Sequence, residues 1–275
     1  MMKSVLIVKM VGVAVLLACK SPNVGLPVGD PVAPSARKLV WADEFTKNGL
    51  PDSTKWGYEV GGKGWGNNEL QYYTANRLEN ARVENGKLII EARKEDYQGN
   101  KYTSARLLTR GKAAWKYGRI EALAKLPAGR GTWPAVWMLG QGIQTAGWPR
   151  AGEIDIMEHV GFDEGVVHGT VHTEAYNHAK KTEKGQAIPV KDVSTRFHLY
   201  AIEWTPDKIE FFVDDQNYYS VQKAALGNTE AQWPFDQPFY LLLNVAVGGN
   251  WGGQKGVDES IWPQRMEIDY VRVCQ

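Results

Sequence analysis

Phe239-Tyr-Leu-Leu-Leu-Asn-Val-Ala-Val247 is almost continuously apolar, as expected of a central strand covered on both faces. The segments around it alternate instead. In Lys208–Asp215, Ile209, Phe211 and Val213 interleave with Glu210, Phe212 and Asp214. Asp214 to Asn217 reads as a polar turn leading into a strand from about Tyr218 to Gln222. Upstream, Leu88, Ile90 and Ala92 alternate with Ile89, Glu91 and Arg93, and Met266–Val273 reads as a last strand. No stretch of twelve residues carries a convincing amphipathic helical pattern, and Gly and Pro breaks recur. Many short strands without an internal repeat predict one all-β sandwich of jelly-roll type.

Composition narrows the function. The chain has 275 residues, with 32 Lys and Arg against 31 Asp and Glu. The balance argues against a nucleic-acid binder, which needs a basic excess. Two cysteines cannot build a disulfide framework or a four-cysteine zinc site. The unusual counts are 11 Trp, 12 Tyr and 29 Gly. So much Trp either fills a core or forms stacking surface for flat, uncharged ligands.

Residues 1–18 read as a secretory signal: Lys3 and Lys9 precede an apolar run from Met10 to Ala18 that is too short to span a bilayer. Leu16-Leu17-Ala18-Cys19 resembles the bacterial lipoprotein box, which makes Cys19 the expected lipidation site. Residues 19–36 hold Pro22, Pro27, Pro31 and Pro34 with Gly25 and Gly29, and read as an extended tether. The globular domain is expected over 37–275. Cys274, its sole cysteine, reads as a small residue closing the last strand. The expected location is secreted, at a bacterial cell surface or outer membrane, with the lipid as the only membrane contact.

The chemistry concentrates in Gly152-Glu-Ile-Asp-Ile-Met-Glu158. On a strand Glu153 and Asp155 share a face while Ile154 and Ile156 enter the core. Glu158 falls out of phase, and one extra residue, a β-bulge near Met157, restores it. Three like charges on one face repel, which a purely structural strand has no reason to keep. Glycoside hydrolysis needs such a set. One carboxylic acid protonates the leaving oxygen, while a second carboxylate attacks at about 5–5.5 Å separation or activates water at about 6.5–9.5 Å. The strand must then curve so that the two Glu side chains lean together. Asp155 between them hydrogen-bonds one partner and raises a neighbour's pKa by repulsion.

The segment GEIDIMEHVG (152–161) resembles the active-site strand of glycoside hydrolase family 16, in its bulge-containing laminarinase branch. WADEF (41–45), GWGNNELQYYT (64–74), YTSARLLTRGK (102–112), GTWPAVWMLG (131–140) and NVAVGGNWGG (244–253) agree, in the family's order, from about Val40 to the C-terminus. The resemblance implies a concanavalin-like β-jelly-roll of two antiparallel sheets with a concave substrate cleft. It implies a retaining endo-1,3-β-glucanase acting on laminarin-like polysaccharide, with Glu153 as nucleophile, Glu158 as acid/base and Asp155 as assisting acid. It also matches Asn68, Arg110 and His172 to sugar-contacting positions. A structural calcium ion is implied on the opposite face, through backbone oxygens of Glu44 and Gly86 and the Asp269 side chain, as calcium prefers oxygen ligands. No cofactor is expected for catalysis.

Trp133, Trp137 and Trp148 lie just upstream of the acids, and with Trp115 they are expected in the cleft. Trp56 and Trp204 are expected in the core. Gly61–Gly66 superficially resembles a nucleotide loop, but no helix or downstream acid supports that. His168 and His172 are four apart on a strand, too far for one zinc. HExxH and GxSxG signatures are absent. A monomer acting on β-glucan is the resulting expectation. Mixed-linkage glucan or a galactan such as agar or carrageenan is the alternative substrate, and a non-catalytic sugar-binding jelly roll is the alternative class.

Overall fold

The computed structural model describes residues 37–275, so the expected signal segment 1–18, the tether 19–36 and Cys19 lie outside the described residues. In chain order the strands begin with β1 (Leu39–Asp43), β2 (Gly57–Glu59), β3 (Gln71–Tyr73), β4 (Ala81–Glu84), β5 (Lys87–Tyr97) and β6 (Asn100–Ser104). β7 (Arg106–Leu108), β8 (Gly118–Lys125), β9 (Thr132–Gly140), β10 (Glu153–His159), β11 (Val166–His172) and β12 (Lys184–Pro189) follow. β13 (His198–Trp204), β14 (Lys208–Val213), β15 (Gln216–Gln222), β16 (Phe239–Val247) and β17 (Gln264–Cys274) complete the set. The α-helices among the described residues are single turns, Ile143–Ala146 and Lys223–Leu226.

Two sheets result. One runs β15-β14-β13-β8-β17-β5-β6-β3, with β1 added on β17 and β4 on β5. The other runs β12-β11-β10-β9-β16-β7-β2. All pairings are antiparallel except β3 with β6, which is parallel. The all-β sandwich expected from the alternating segments is the observed architecture. β16 is buried at every position, between β9 and β7, as its unbroken apolar run requires. In β8, Ile120, Ala122 and Ala124 enter the core between the sheets. The turn into β15 is shorter than the sequence suggests: Asp214 and Asp215 alone make it, with Asp214 at φ 53, so β15 starts at Gln216. Trp56 and Trp204 are core residues, and Cys274 is buried at the end of β17.

Candidate active site

The expected bulge lies in β10. Asp155 pairs with Trp137 of β9, but Met157 pairs with the next residue, Val136, so Ile156 is the extra residue. Against β11 the register likewise breaks between Asp155 and Glu158. Ile154, Ile156 and Met157 are all buried in the core. Two consecutive apolar residues thus face inward, and Glu158 returns to the face of Glu153 and Asp155. Gly152 sets the strand's start: a Cβ there would lie 2.8 Å from Pro234 and 2.9 Å from Phe239, at φ +80.

That face forms the floor of a cleft of about 830 Å³ on the seven-stranded sheet, lined by Trp133, Trp137, Trp148, Glu153, Asp155, Glu158 and His172 among others. Indole N–H groups hold the outer acids. Trp148 Nε1 donates to Glu153 Oε2 at 2.9 Å, and Trp133 Nε1 donates to Glu158 Oε1 at 3.0 Å. His172 Nε2 lies 3.4 Å from Asp155 Oδ2 and 4.0 Å from Glu153 Oε1. Donor atoms of Glu153, Asp155 and His172 fall within 4.8 Å of one another.

Burial raises all three acids. Glu153 is pushed up to about 8 by desolvation first and the Asp155 charge second. Glu158 rises to about 7, desolvation again leading, against the stabilising Trp133 N–H. Asp155, the most buried, is raised well above its ordinary value by desolvation and by Glu158. Three carboxyls this close together favour keeping a proton among them. They share protons as a unit, and the indole N–H groups on Glu153 and Glu158 draw negative charge to the outer pair.

A model of glycosyl hydrolases family 16 matches residues 68–272. The chain belongs to this family. It is 61% identical over 241 residues to a beta-glucanase of Rhodothermus marinus, covering 86% of this chain and 84% of that one. It is 41% identical over 249 residues to a glucan endo-1,3-beta-glucosidase of Cryptopygus antarcticus, covering 85% and 90%. The X-ray structure of the Rhodothermus marinus laminarinase superposes with a TM-score of 0.85 at 60% identity, covering 87% of this chain and 97% of that one.

Within this family 16 chain the other expected cleft residues divide. Trp137 lines the cleft and donates Nε1 to Asn244 Oδ1 at 2.7 Å. Arg110 lines it too, 3.1 Å from Glu59 Oε1 and over the Tyr240 ring. Trp115 does not reach the cleft. Its backbone pairs with Phe239 at the start of β16, and its ring turns between the sheets, 7% exposed and 5.1 Å edge-on from Trp41. Trp56 and Trp115 belong to the core and Trp41 packs edge-on against both, so the ring is held by apolar burial. Asn68 also stays out of the lining. It is exposed, at φ 55, and donates Nδ2 to Asn250 Oδ1 at 2.8 Å, while neighbouring Asn67 lines the cleft.

Several lining residues escaped the sequence reading: Trp65, Glu69, Arg106, Asn244 and Trp251. Each lies inside a segment that carries the family resemblance, so the motifs themselves were the signal. The Arg106 guanidinium sits between two indoles, 4.6 Å from Trp137 and 5.0 Å from Trp65, and its Nε is 2.9 Å from Glu59 Oε2. It braces the Trp137 ring by lying over it.

The expected calcium residues lie on the larger sheet. On one side of β17, β5 pairs up to Ile268 and β1 takes over at Val271. Asp269 falls in the gap, beside Glu44 just after β1 and Gly86 just before β5. The Glu44 carboxylate is occupied by Arg272, at 2.8 and 2.9 Å, which leaves its backbone carbonyl for any cation. No protein group hydrogen-bonds or ion-pairs with the Asp269 carboxylate among the described residues. An unpartnered carboxylate is of the chemistry an oxygen-binding cation takes.

Proposed function

We propose that the chain is a retaining endo-1,3-β-glucanase. The observation that carries this reading is the acid trio on one face of β10, with Trp148 and Trp133 donating to its outer members. In this reading Glu158 gives its proton to the departing glycosidic oxygen while Glu153 attacks the anomeric carbon. A covalent glycosyl-enzyme forms, and Glu158, now a carboxylate, takes a proton from the water that releases it. The Trp148 N–H favours the Glu153 anion. Asp155 shares a hydrogen bond with Glu153 and so couples its own proton to the charge on the nucleophile. Trp137 and its Arg106 brace offer a flat apolar wall for a glucose ring, with Arg110 and Asn244 as polar partners.

The β-1,3 assignment rests on the similarity to the Rhodothermus marinus laminarinase and to the glucan endo-1,3-beta-glucosidase of Cryptopygus antarcticus. A polysaccharide panel with laminarin, mixed-linkage glucan and agar tests it. Laminarin must be the best substrate, and proton NMR must show the β-anomer appearing first. Early α-anomer overturns retention. Structural calcium at Asp269 and a lipid on Cys19 belong to the same reading. A calcium-dependent rise in melting temperature, lost in Asp269→Ala, tests the first. Mass analysis of the mature N-terminus tests the second.

A further inference from the structure

Trp251 lies on the glycine-rich loop after β16, outside the acid trio, yet it faces the cleft. Its ring is edge-on to Trp133, with centroids 5.6 Å apart and planes at 78°. On its other side His168 of β11 meets it edge-on, at 4.9 Å and 85°. Trp133 in turn donates to Glu158. We propose that Trp251 is a positioning residue which, backed by His168, holds the Trp133 indole N–H on the Glu158 carboxyl. The inference rests on the reading of Glu158 as acid/base.

The loop is built around Trp133. A Cβ on Gly252 would lie 2.9 Å from the Trp133 Cβ, and one on Gly249 would lie 3.4 Å from its Cζ3. Gly249 also has φ +78, so glycine alone lets this backbone close on the ring. Backbone bonds brace the loop at two points. Gly248 N donates to Gly131 O at 2.8 Å, and Asn250 N donates to Asn67 O at 2.7 Å. The Asn68 side chain adds a third tie, to Asn250. Trp251 is therefore carried on a fixed support, and Trp133 cannot rotate away without displacing it.

His168 pairs with Glu158 across the strands. Burial lowers its pKa, so it meets Trp251 as a neutral aromatic edge and brings no charge to Glu158. The titratable groups facing Glu158 are Glu153 and Asp155 on its own strand, His168 and His172 on β11, and Glu69 on the loop before β3. Among them His168 makes a ring contact with Trp251 and also pairs with Glu158, so the double variant must separate a route through Trp133 from one through His168.

The test is the pH dependence of kcat/KM on laminarin for Trp251→Ala, Trp251→Phe, Trp133→Phe and the Trp133→Phe/Trp251→Ala pair. Losing the N–H from the Glu158 carboxylate must raise its pKa, so the alkaline limb moves up by about one pH unit in Trp251→Ala and in Trp133→Phe. Trp251→Phe keeps an aromatic edge and restores most of the wild-type limb. The double variant shows no further shift. A raised KM with an unmoved limb makes Trp251 a sugar platform only and overturns the proposal. Additive limb shifts in the double variant also overturn it. Should Trp251→Ala fail to fold, Trp251→Phe and Trp133→Phe still decide: equal displaced limbs in both defeat the proposal. Glu158→Gln run alongside separates the two levels, since full turnover there removes the acid/base reading itself.

Discussion

Replacing Glu153 by Gln should stabilise the folded protein at neutral pH while ending turnover. The carboxyl is raised from 4.5 to about 8 by desolvation and by Asp155. An acid whose folded pKa is raised binds its proton more tightly when folded. The native state therefore loses stability as pH climbs from the unfolded value toward the folded one, and the cost saturates above about 8. At pH 7 the gap spans about 2.5 units, or about 3 kcal/mol at 1.36 kcal/mol per unit. Protons shared with Asp155 and Glu158 reduce what one substitution recovers, to roughly 2 kcal/mol. Gln is neutral, nearly isosteric, and its amide oxygen still accepts from Trp148. For a domain of this size that gain is a rise of about 4–8 °C in melting temperature. Below the unfolded pKa both forms are neutral and the advantage vanishes. Denaturant titrations of wild type and Glu153→Gln at pH 4 and pH 7.5 measure it. An equal ΔΔG at both pH values, or a loss at pH 7.5, refutes the claim that the cleft holds a desolvated acid at this position.

The remaining expectations concern catalysis and packing. Glu158→Gln should cut laminarin hydrolysis by at least about 10³-fold, losing general-acid assistance, while isothermal titration still detects oligosaccharide binding; wild-type turnover would sink the assignment. In the wild type, kcat/KM should decline at alkaline pH, as the acid trio gives up the shared proton that Glu158 delivers; a plateau to pH 9 would contradict that. Trp115→Ala should cost about 3–5 kcal/mol in denaturant unfolding, as for a large core aromatic, with KM unchanged in protein that remains folded. Arg106→Ala should raise KM far more than it lowers kcat, because it loosens the Trp137 wall and not the acids; the reverse split would make Arg106 part of the chemistry.

The fold was legible because its signal is local. Alternation in β5 and β14 and the unbroken run of β16 each report how many faces a strand buries, and no long-range information is needed for that. The bulge was legible for the same reason: three acids in Glu153–Glu158 cannot share a face without an extra residue, and a mixed run of Ile and Met is where one can be absorbed. What a strand pattern does not report is which of two sheets a loop aromatic meets. Trp115 precedes the acids in sequence as Trp133 does, yet the first enters from a loop that turns inward at Phe239 and the second stands on β9 with its side chain outward. Asn68 failed similarly, since a left-handed residue beside Asn67 reverses which of two adjacent side chains meets the cleft.

The residues that escaped share a physical feature. Arg106, Glu69 and Trp251 act through partners far away in sequence: Arg106 with Trp137, Trp251 with Trp133 and His168, Glu69 with the Arg106 charge and, through its backbone, with Gly248. The arginines there are engaged by a carboxylate, Arg106 and Arg110 both by Glu59. The acids are spared that neutralisation. Among the described residues no arginine or lysine pairs with Glu153, Asp155 or Glu158, whose outer members accept from indoles and whose inner pair lies beside one histidine. A guanidinium in that position would hold the carboxyls ionised and remove the proton the leaving group needs. The same chain thus uses arginine where a wall must be rigid and withholds it where a proton must be kept. Introducing a cation beside the trio, as in Thr170→Arg opposite Asp155, should lower the alkaline limb of the pH profile and slow glycosidic cleavage even though the new charge touches no sugar.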